Sequence, residues 1–286
     1  EHQGAMSAAY VFGYRLALLV AGAGALYLAE YFSWTITYIV MASLMLVGVV
    51  TVLLVVEPDR QADLFPLELS AIGLRRWFAG AVLGPFVDFF SRNGKVAFII
   101  LLFISVFRLS DIAMGIMANP FYLDMGYSKT EIANVAKVFG FFMSIAGSLI
   151  CGVLVVKWGL MRPLLIGAVA VALTNLLFAS LSVLEPKVSY LAIVISADNI
   201  SGGFAATAFI AYLSSLTNRA YTATQYALFS SLMTLPGKFI SGFSGLVVDN
   251  FGYFEFFVVA AILGIPAILL VVWLSRYERT QLASQP

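Results

Sequence analysis

Apolar residues along this chain fall into long runs separated by short polar breaks. Eight runs reach the roughly 20 residues that an α-helix needs to cross the hydrocarbon of a bilayer. They cover Ser7–Ala29, Trp34–Val56, Val96–Met117, Ser128–Val156, Pro163–Leu184, Val188–Leu216, Thr222–Val248 and Phe254–Ser275. The breaks carry turn or charge signals: Glu30, Asn119-Pro120, Lys157-Trp158-Gly159, Glu185-Pro186-Lys187, Asn218-Arg219 and Asp249-Asn250. The pattern predicts an all-α integral membrane protein with eight transmembrane helices.

Residues 57–95 depart from the pattern. They hold five acidic and five basic residues. The apolar run Trp77–Phe90 within them is too short to span and contains Asp88, which suits an interfacial helix. This segment leaves two helices before it (residues 1–56) and six after it (residues 96–286).

Composition narrows the function. Hydrophobic residues make up 62% of the chain and charged residues 11%, against the roughly 25% that a soluble domain uses to cover its surface. Lipid is therefore the expected solvent over most of the length. The net charge of +1 gives no electrostatic case for nucleic acid. A single cysteine, Cys151, lies inside an apolar run, and the single histidine is His2, so no metal site of the His/Cys type is expected. No nucleophile motif or phosphate loop appears, and an enzyme is not expected. With the N-terminus inside, the inner loops carry Arg60, Arg75, Arg76, Arg92, Lys95, Lys157, Arg162, Arg219, Arg276 and Arg279, and the outer loops only Lys129 and Lys187. That bias predicts both termini and the linker on the cytoplasmic side.

Charge inside the runs is the candidate chemistry. Arg108 and Asp111 sit near the midpoint of the third helix, three residues apart and so on neighbouring parts of one face. Each costs about 2.5–3.5 kcal/mol to insert at the bilayer centre, and such residues are expected to face the protein interior or water. They form either a substrate or proton site or an ion pair that fixes helix packing. Asp198 and Asn199 lie in the outer half of the sixth helix, Lys238 near the middle of the seventh and Asn175 inside the fifth. Asp198 is a second candidate titrating carboxylate, and Lys238 could hold an anionic substrate or neutralise an acid. Arg15 and Lys137 lie nearer helix ends, where snorkelling accounts for them.

Small residues recur at four-residue spacing: Gly140, Ser144, Ser148 and Gly152 in the fourth helix, Gly13, Ala17, Ala21, Ala25 and Ala29 in the first, and Gly237, Ser241 and Gly245 in the seventh. Such rows let backbones approach closely. They predict static packing or, between the first and fourth helices, a moving contact through Ala21 and Ser148. Pro236-Gly237 makes the seventh helix a candidate bending element.

Several stretches carry a family resemblance. Gly84-Pro85-Phe86-Val87-Asp88-Phe89-Phe90-Ser91-Arg92-Asn93, followed by Arg108-Leu109-Ser110-Asp111, resembles the linker and next helix of AmpG-type permeases of the major facilitator superfamily. Asp198-Asn199-Ile200-Ser201-Gly202-Gly203-Phe204-Ala205-Ala206-Thr207-Ala208-Phe209 resembles a second signature, Thr222-Ala223-Thr224-Gln225-Tyr226-Ala227-Leu228 a third, and Phe12-Gly13-Tyr14-Arg15-Leu16-Ala17 the start of the family's fifth helix. The resemblance implies two six-helix halves, of which the last two helices of the first half and a complete second half are present here. The four helices absent from this chain are then its expected partner within the membrane. It further implies proton-driven import of anionic sugar-peptides, the anhydromuropeptides of cell-wall recycling, across a bacterial inner membrane, with a proton gradient and no cofactor. The expected roles are substrate binding for Arg108, Lys238, Asn199 and Asn175, proton coupling for Asp111 or Asp198, and packing or gating for Ala21, Gly140, Ser144, Ser148, Gly152, Pro236 and Gly237. Related members carry acetyl-coenzyme A, so another solute, such as that ester or a sugar, remains an alternative. A scaffold or receptor that transports nothing is a second. The superfamily's Gly-x-x-x-Asp-Arg loop motif is reduced here to Gly152-Val153-Leu154-Val155-Val156-Lys157, without the acid.

Overall fold

The computed structural model describes residues 3–25, 28, 32–55, 80, 83–218 and 221–283. The chain divides into two compact units, one formed by Phe12–Trp77 and the other by Glu1–Val11 with Phe78–Pro286. Helix α1 runs over Gln3–Leu19 and continues into a π-helical turn, Val20–Gly24, that contains Ala21. Helix α2, Trp34–Leu54, starts at Ser33, whose Oγ accepts from the Ile36 amide at 3.3 Å. Its surface is apolar all round, as in a helix whose solvent is lipid.

The second unit begins with α3, Gly84–Asn93. The interfacial helix expected over Trp77–Phe90 is seen from Gly84 onward, with Pro85 in its first turn; residues 77–79 and 81–82 lie outside the described ones. Then follow α4 (Val96–Phe107), α5 (Leu109–Asp124), a π-helical turn (Ala133–Phe139) leading into α6 (Gly140–Trp158), α7 (Met161–Leu181), α8 (Val188–Leu216), α9 (Thr222–Ser241), α10 (Ser244–Phe251), α11 (Tyr253–Ile262) and α12 (Ile265–Ala283). Helices α4 and α5 together make one span, as do α9 with α10 and α11 with α12.

Among the described residues seven helices are long and apolar enough to cross a membrane. Spans Val96–Asp124, Val188–Leu216 and Ala223–Phe251 are each 29 residues long, and Trp34–Leu54 and Met161–Leu181 each 21. Of the eight expected crossings, the first is represented by the 17 residues of α1 and the π-turn that follows.

Local chemistry places the ends. Ser128 and Glu131 form a reciprocal capping box ahead of α6: the Glu131 carboxylate accepts from the Ser128 amide at 2.8 Å and hydroxyl at 2.7 Å, and the Glu131 amide donates to Ser128 Oγ. These bonds hold the Glu131 carboxyl below its ordinary range. Gly159 and Gly252 close α6 and α10 at φ of +76° and +89°, a region a side chain would strain.

Helix α8 lies between α6 and α7, α7 packs on α11 and α12, and the span α4–α5 sits between those helices and α9. The α6–α8 seam is the tightest. A Cβ on Gly147 would run into the Ile200 carbonyl, and one on Gly203 into the Ser144 carbonyl. Ser148 Oγ donates to Ser144 O at 2.9 Å and to Gly203 O at 3.2 Å, and Gly140 abuts Asn199. The row Gly140, Ser144, Ser148, Gly152 is buried, and α8 packs against it. Backbone-to-backbone packing against α8 encloses Ser148 within its own unit, and Ala21 belongs to the other unit. Helix α9 continues through Pro236, and the break comes at Gly242-Phe243, where Gly242 N–H and Phe243 N–H each bond three residues back and keep the turn hydrogen-bonded.

Two apolar cores stack along the bundle. At the α3 end, Phe89, Phe103, Phe107, Phe209, Tyr212 and Phe229 are buried together. At the far end, Phe121, Tyr122, Phe178 and Phe257 are. Polar groups join the helices between them: Ser110 Oγ donates to Ala260 O and accepts from Asn175 Nδ2, both at 2.7 Å.

Candidate functional site

The span α4–α5 breaks at Arg108, which takes φ −96° and ψ 5° and stands as the N-cap of α5. A bilayer tolerates such a break only where protein or water meets the freed backbone, and here the Ile112 amide still donates to Arg108 O at 2.9 Å. The break turns Arg108 and Asp111 toward each other, and Arg108 Nη2 donates to Asp111 Oδ2. Asp111 lies in the first turn of α5, where the helix dipole favours its charge. The pair lines a small cleft whose other walls are mostly small residues, Gly167 and Ala168 on α7, Gly202, Ala205 and Ala206 on α8, and Gly264 and Ala267 at the α11–α12 junction, completed by Phe107, Ser110 and Val171. Side-chain exposures of 31% for Arg108 and 25% for Asp111 keep both within reach of an incoming molecule. A cation and an anion at the mouth of a cleft walled by small residues can hold a carboxylate, exchange a proton, or both.

The other expected residues lie elsewhere. Asn175 is fully buried behind Ser110, with Oδ1 unpaired among the described residues. Asp198 is half-buried on α8. Asn199 donates to Ile195 O at 3.1 Å and flanks Gly140. Lys238 is exposed on α9, whereas its neighbour Gly237 is buried, 2.8 Å from Ile112 Cδ1 for an added Cβ. None of these four is in the wall of the Arg108–Asp111 cleft.

A second polar grouping was not foreseen. Two of the stretches that carry the resemblance, Gly84–Asn93 and Thr222–Leu228, meet in space. Gln225, 1% exposed, donates from Nε2 to Pro85 O and to Asp88 Oδ2, both at 2.9 Å. Its Oε1 accepts from the Asn218 amide at 2.8 Å and from Arg92 Nη2 at 3.4 Å. Asp88 also accepts from Asn218 Nδ2 and Arg92 Nε, each at 2.9 Å, and Arg92 Nη2 reaches Leu216 O at 3.2 Å. Burial works against the charge on Asp88, but the bonds from Gln225, Asn218 and Arg92, with the arginine's charge, outweigh it and hold the carboxyl below its ordinary 3.8. In sequence the signals were an acid, Asp88, in an otherwise apolar run and the two stretches of family resemblance, and neither indicated that the two stretches meet.

The family model of the Major Facilitator Superfamily matches residues 1–241. The chain belongs to the Major Facilitator Superfamily. Within this superfamily it is AmpG-like. It is 35% identical to AmpG 4 of Rickettsia conorii over 277 residues, 96% of this chain and 65% of that protein. To AmpG 1 of Rickettsia bellii it is 33% identical, over 95% of this chain and 66% of the relative. To the anhydromuropeptide permease of Escherichia coli K12 it is 31% identical over 274 residues, 95% of this chain and 53% of that permease. This superfamily chain thus spans about two thirds of the length of the Rickettsia relatives and about half that of the E. coli permease. Its apolar spans and its family make it an integral membrane protein.

Proposed function

We propose that this chain is part of a proton-coupled transporter that imports anhydromuropeptides across a bacterial inner membrane by alternating access. The observation that carries the reading is the Arg108–Asp111 pair at a mid-span helix break, open to a cleft walled by small residues. The permease name of the E. coli relative supplies the substrate class. Arg108 holds a carboxylate of the sugar-peptide, and Asp111, or Asp198 on α8, carries the coupling proton. A proton gradient drives uptake with no cofactor, and both ends of the chain lie in the cytoplasm, a reading supported by the Lys and Arg bias of the loops. The four helices expected to complete the fold supply the opposite wall, and the two halves rock about the site.

The test uses the full-length gene product in right-side-out vesicles. Labelled anhydromuropeptide should accumulate, an uncoupler should abolish accumulation, and Asp111→Asn should abolish it too. Proton-coupled uptake that survives in Asp111→Asn would remove the coupling role of Asp111. Uptake of an acetyl-coenzyme A ester or a free sugar in its place would replace the substrate class while keeping the transporter.

A further inference from the structure

The α9–α10 span is the least enclosed span of the six-span unit. In it 17% of the apolar window is buried, against 33–50% for the unit's other spans. Helices α8 and α9 follow each other in sequence yet scarcely touch along their lengths. What ties them at one end is the cluster of Asp88, Arg92, Asn218 and Gln225.

We infer that this cluster is a latch: closed, it fastens the first turns of α9 to α3 and to the end of α8, and open, it frees α9 to swing. The inference rests on reading the chain as part of a transporter, in which some element must move. Two features of the cluster suit a latch better than a staple. Both carboxylate oxygens of Asp88 and both ends of the Gln225 amide are engaged, so its bonds form and break together. Arg92 and Asp88 are 39% and 19% exposed, so water can take over each bond as it opens. Asp88 also provides, from the linker helix, an acid at a loop end of the bundle, where the run Gly152–Lys157 has none.

The test is maleimide labelling of a reporter cysteine, Ser230→Cys, in the full-length protein carrying Cys151→Ala. Ser230 is half-buried on α9, and its hydroxyl donates to Ala227 O of its own helix. Asp88→Asn should label about tenfold faster than the parent, the factor expected when a charged acceptor of several bonds is lost. If Asp88→Asn does not fold, Asn218→Ala removes fewer bonds and should label about threefold faster. An unchanged rate in a folded variant, or a lower melting temperature with no change in rate, would show a static staple and overturn the latch. Labelling requires no substrate, so a failure of the transport assay leaves this test standing, and an unchanged labelling rate leaves the transport reading standing.

Discussion

Two acid–arginine pairs, each within one helical turn, sit in this molecule under different rules. Asp88 and Arg92 pair four residues apart at the end of the bundle, backed by Gln225, Asn218 and the Leu216 carbonyl. Arg108 and Asp111 pair three residues apart at mid-span, and each is the other's partner among the described side-chain bonds. The first pair is held in place by neutral neighbours and would lose several bonds by moving. The second faces a cleft lined mostly by glycine and alanine, where the one other polar side chain, Ser110, is already bonded to Ala260 O and Asn175, so a substrate carboxylate or a proton competes chiefly with the pair itself. Ion pairing is common to both; they differ in how many neighbours must let go when the pair opens.

The sharpest way to break this contrast is at mid-span. Asp111→Asn leaves Arg108 uncompensated, at about 2.5–3.5 kcal/mol for an arginine near the bilayer centre, and should lower both the yield of folded protein and uptake about a hundredfold. The double variant Arg108→Gln/Asp111→Asn removes both charges and should recover the folded yield but not uptake. Recovery of uptake in the double variant would show that the pair only packs.

At the other pair the expected loss is smaller. Asp88→Asn should cost about 1.5–3 kcal/mol at neutral pH, the range for bonds to a charged group, read as a lower melting temperature in detergent. Because Asp88 is held below 3.8 in the folded state, its contribution is present above that value and is lost as pH falls through the lower folded value. The gap in melting temperature between the parent and Asp88→Asn should therefore stay constant from neutral pH down to near 4 and close below it. A gap that closes between pH 7 and 5 would contradict the hydrogen-bonded environment. Smallest of all, Ser110→Ala removes the neutral link among α5, α7 and α11 and should cost about 0.6 kcal/mol, the average for such bonds inside a membrane. A loss as large as that of Asp111→Asn would move the functional weight from the charged pair to Ser110.

Much of the fold was legible in the hydropathy pattern because a span is a local property. The turns at Lys157-Trp158-Gly159 and Glu185-Pro186-Lys187 lie where the polar residues put them. The breaks at Arg108, Gly242-Phe243 and Leu263-Gly264 were not legible, since a window long enough to detect a span averages across a one-residue break. The spacing of Gly140, Ser144, Ser148 and Gly152 announced close packing, but a row of small residues does not specify which helix fills it. Arg108 and Asp111 could be paired from their spacing alone. Asp88 and Gln225 could not, being 137 positions apart in sequence, and the glycines and alanines that wall the cleft resemble ordinary packing residues until the helices are assembled.

The 29-residue spans set a geometric demand on the surrounding lipid. At 1.5 Å per residue each measures about 43 Å, against a hydrocarbon layer about 30 Å thick. Lying wholly within that layer as a straight rod would take a tilt beyond the usual 0–40° range, so the unbroken α8 must protrude even when it leans, while the 21-residue α7 beside it matches the layer nearly upright. Hydrophobic mismatch is therefore built into a single bundle. Its helix tilts should respond to acyl-chain length in reconstituted membranes, with α7 the least affected.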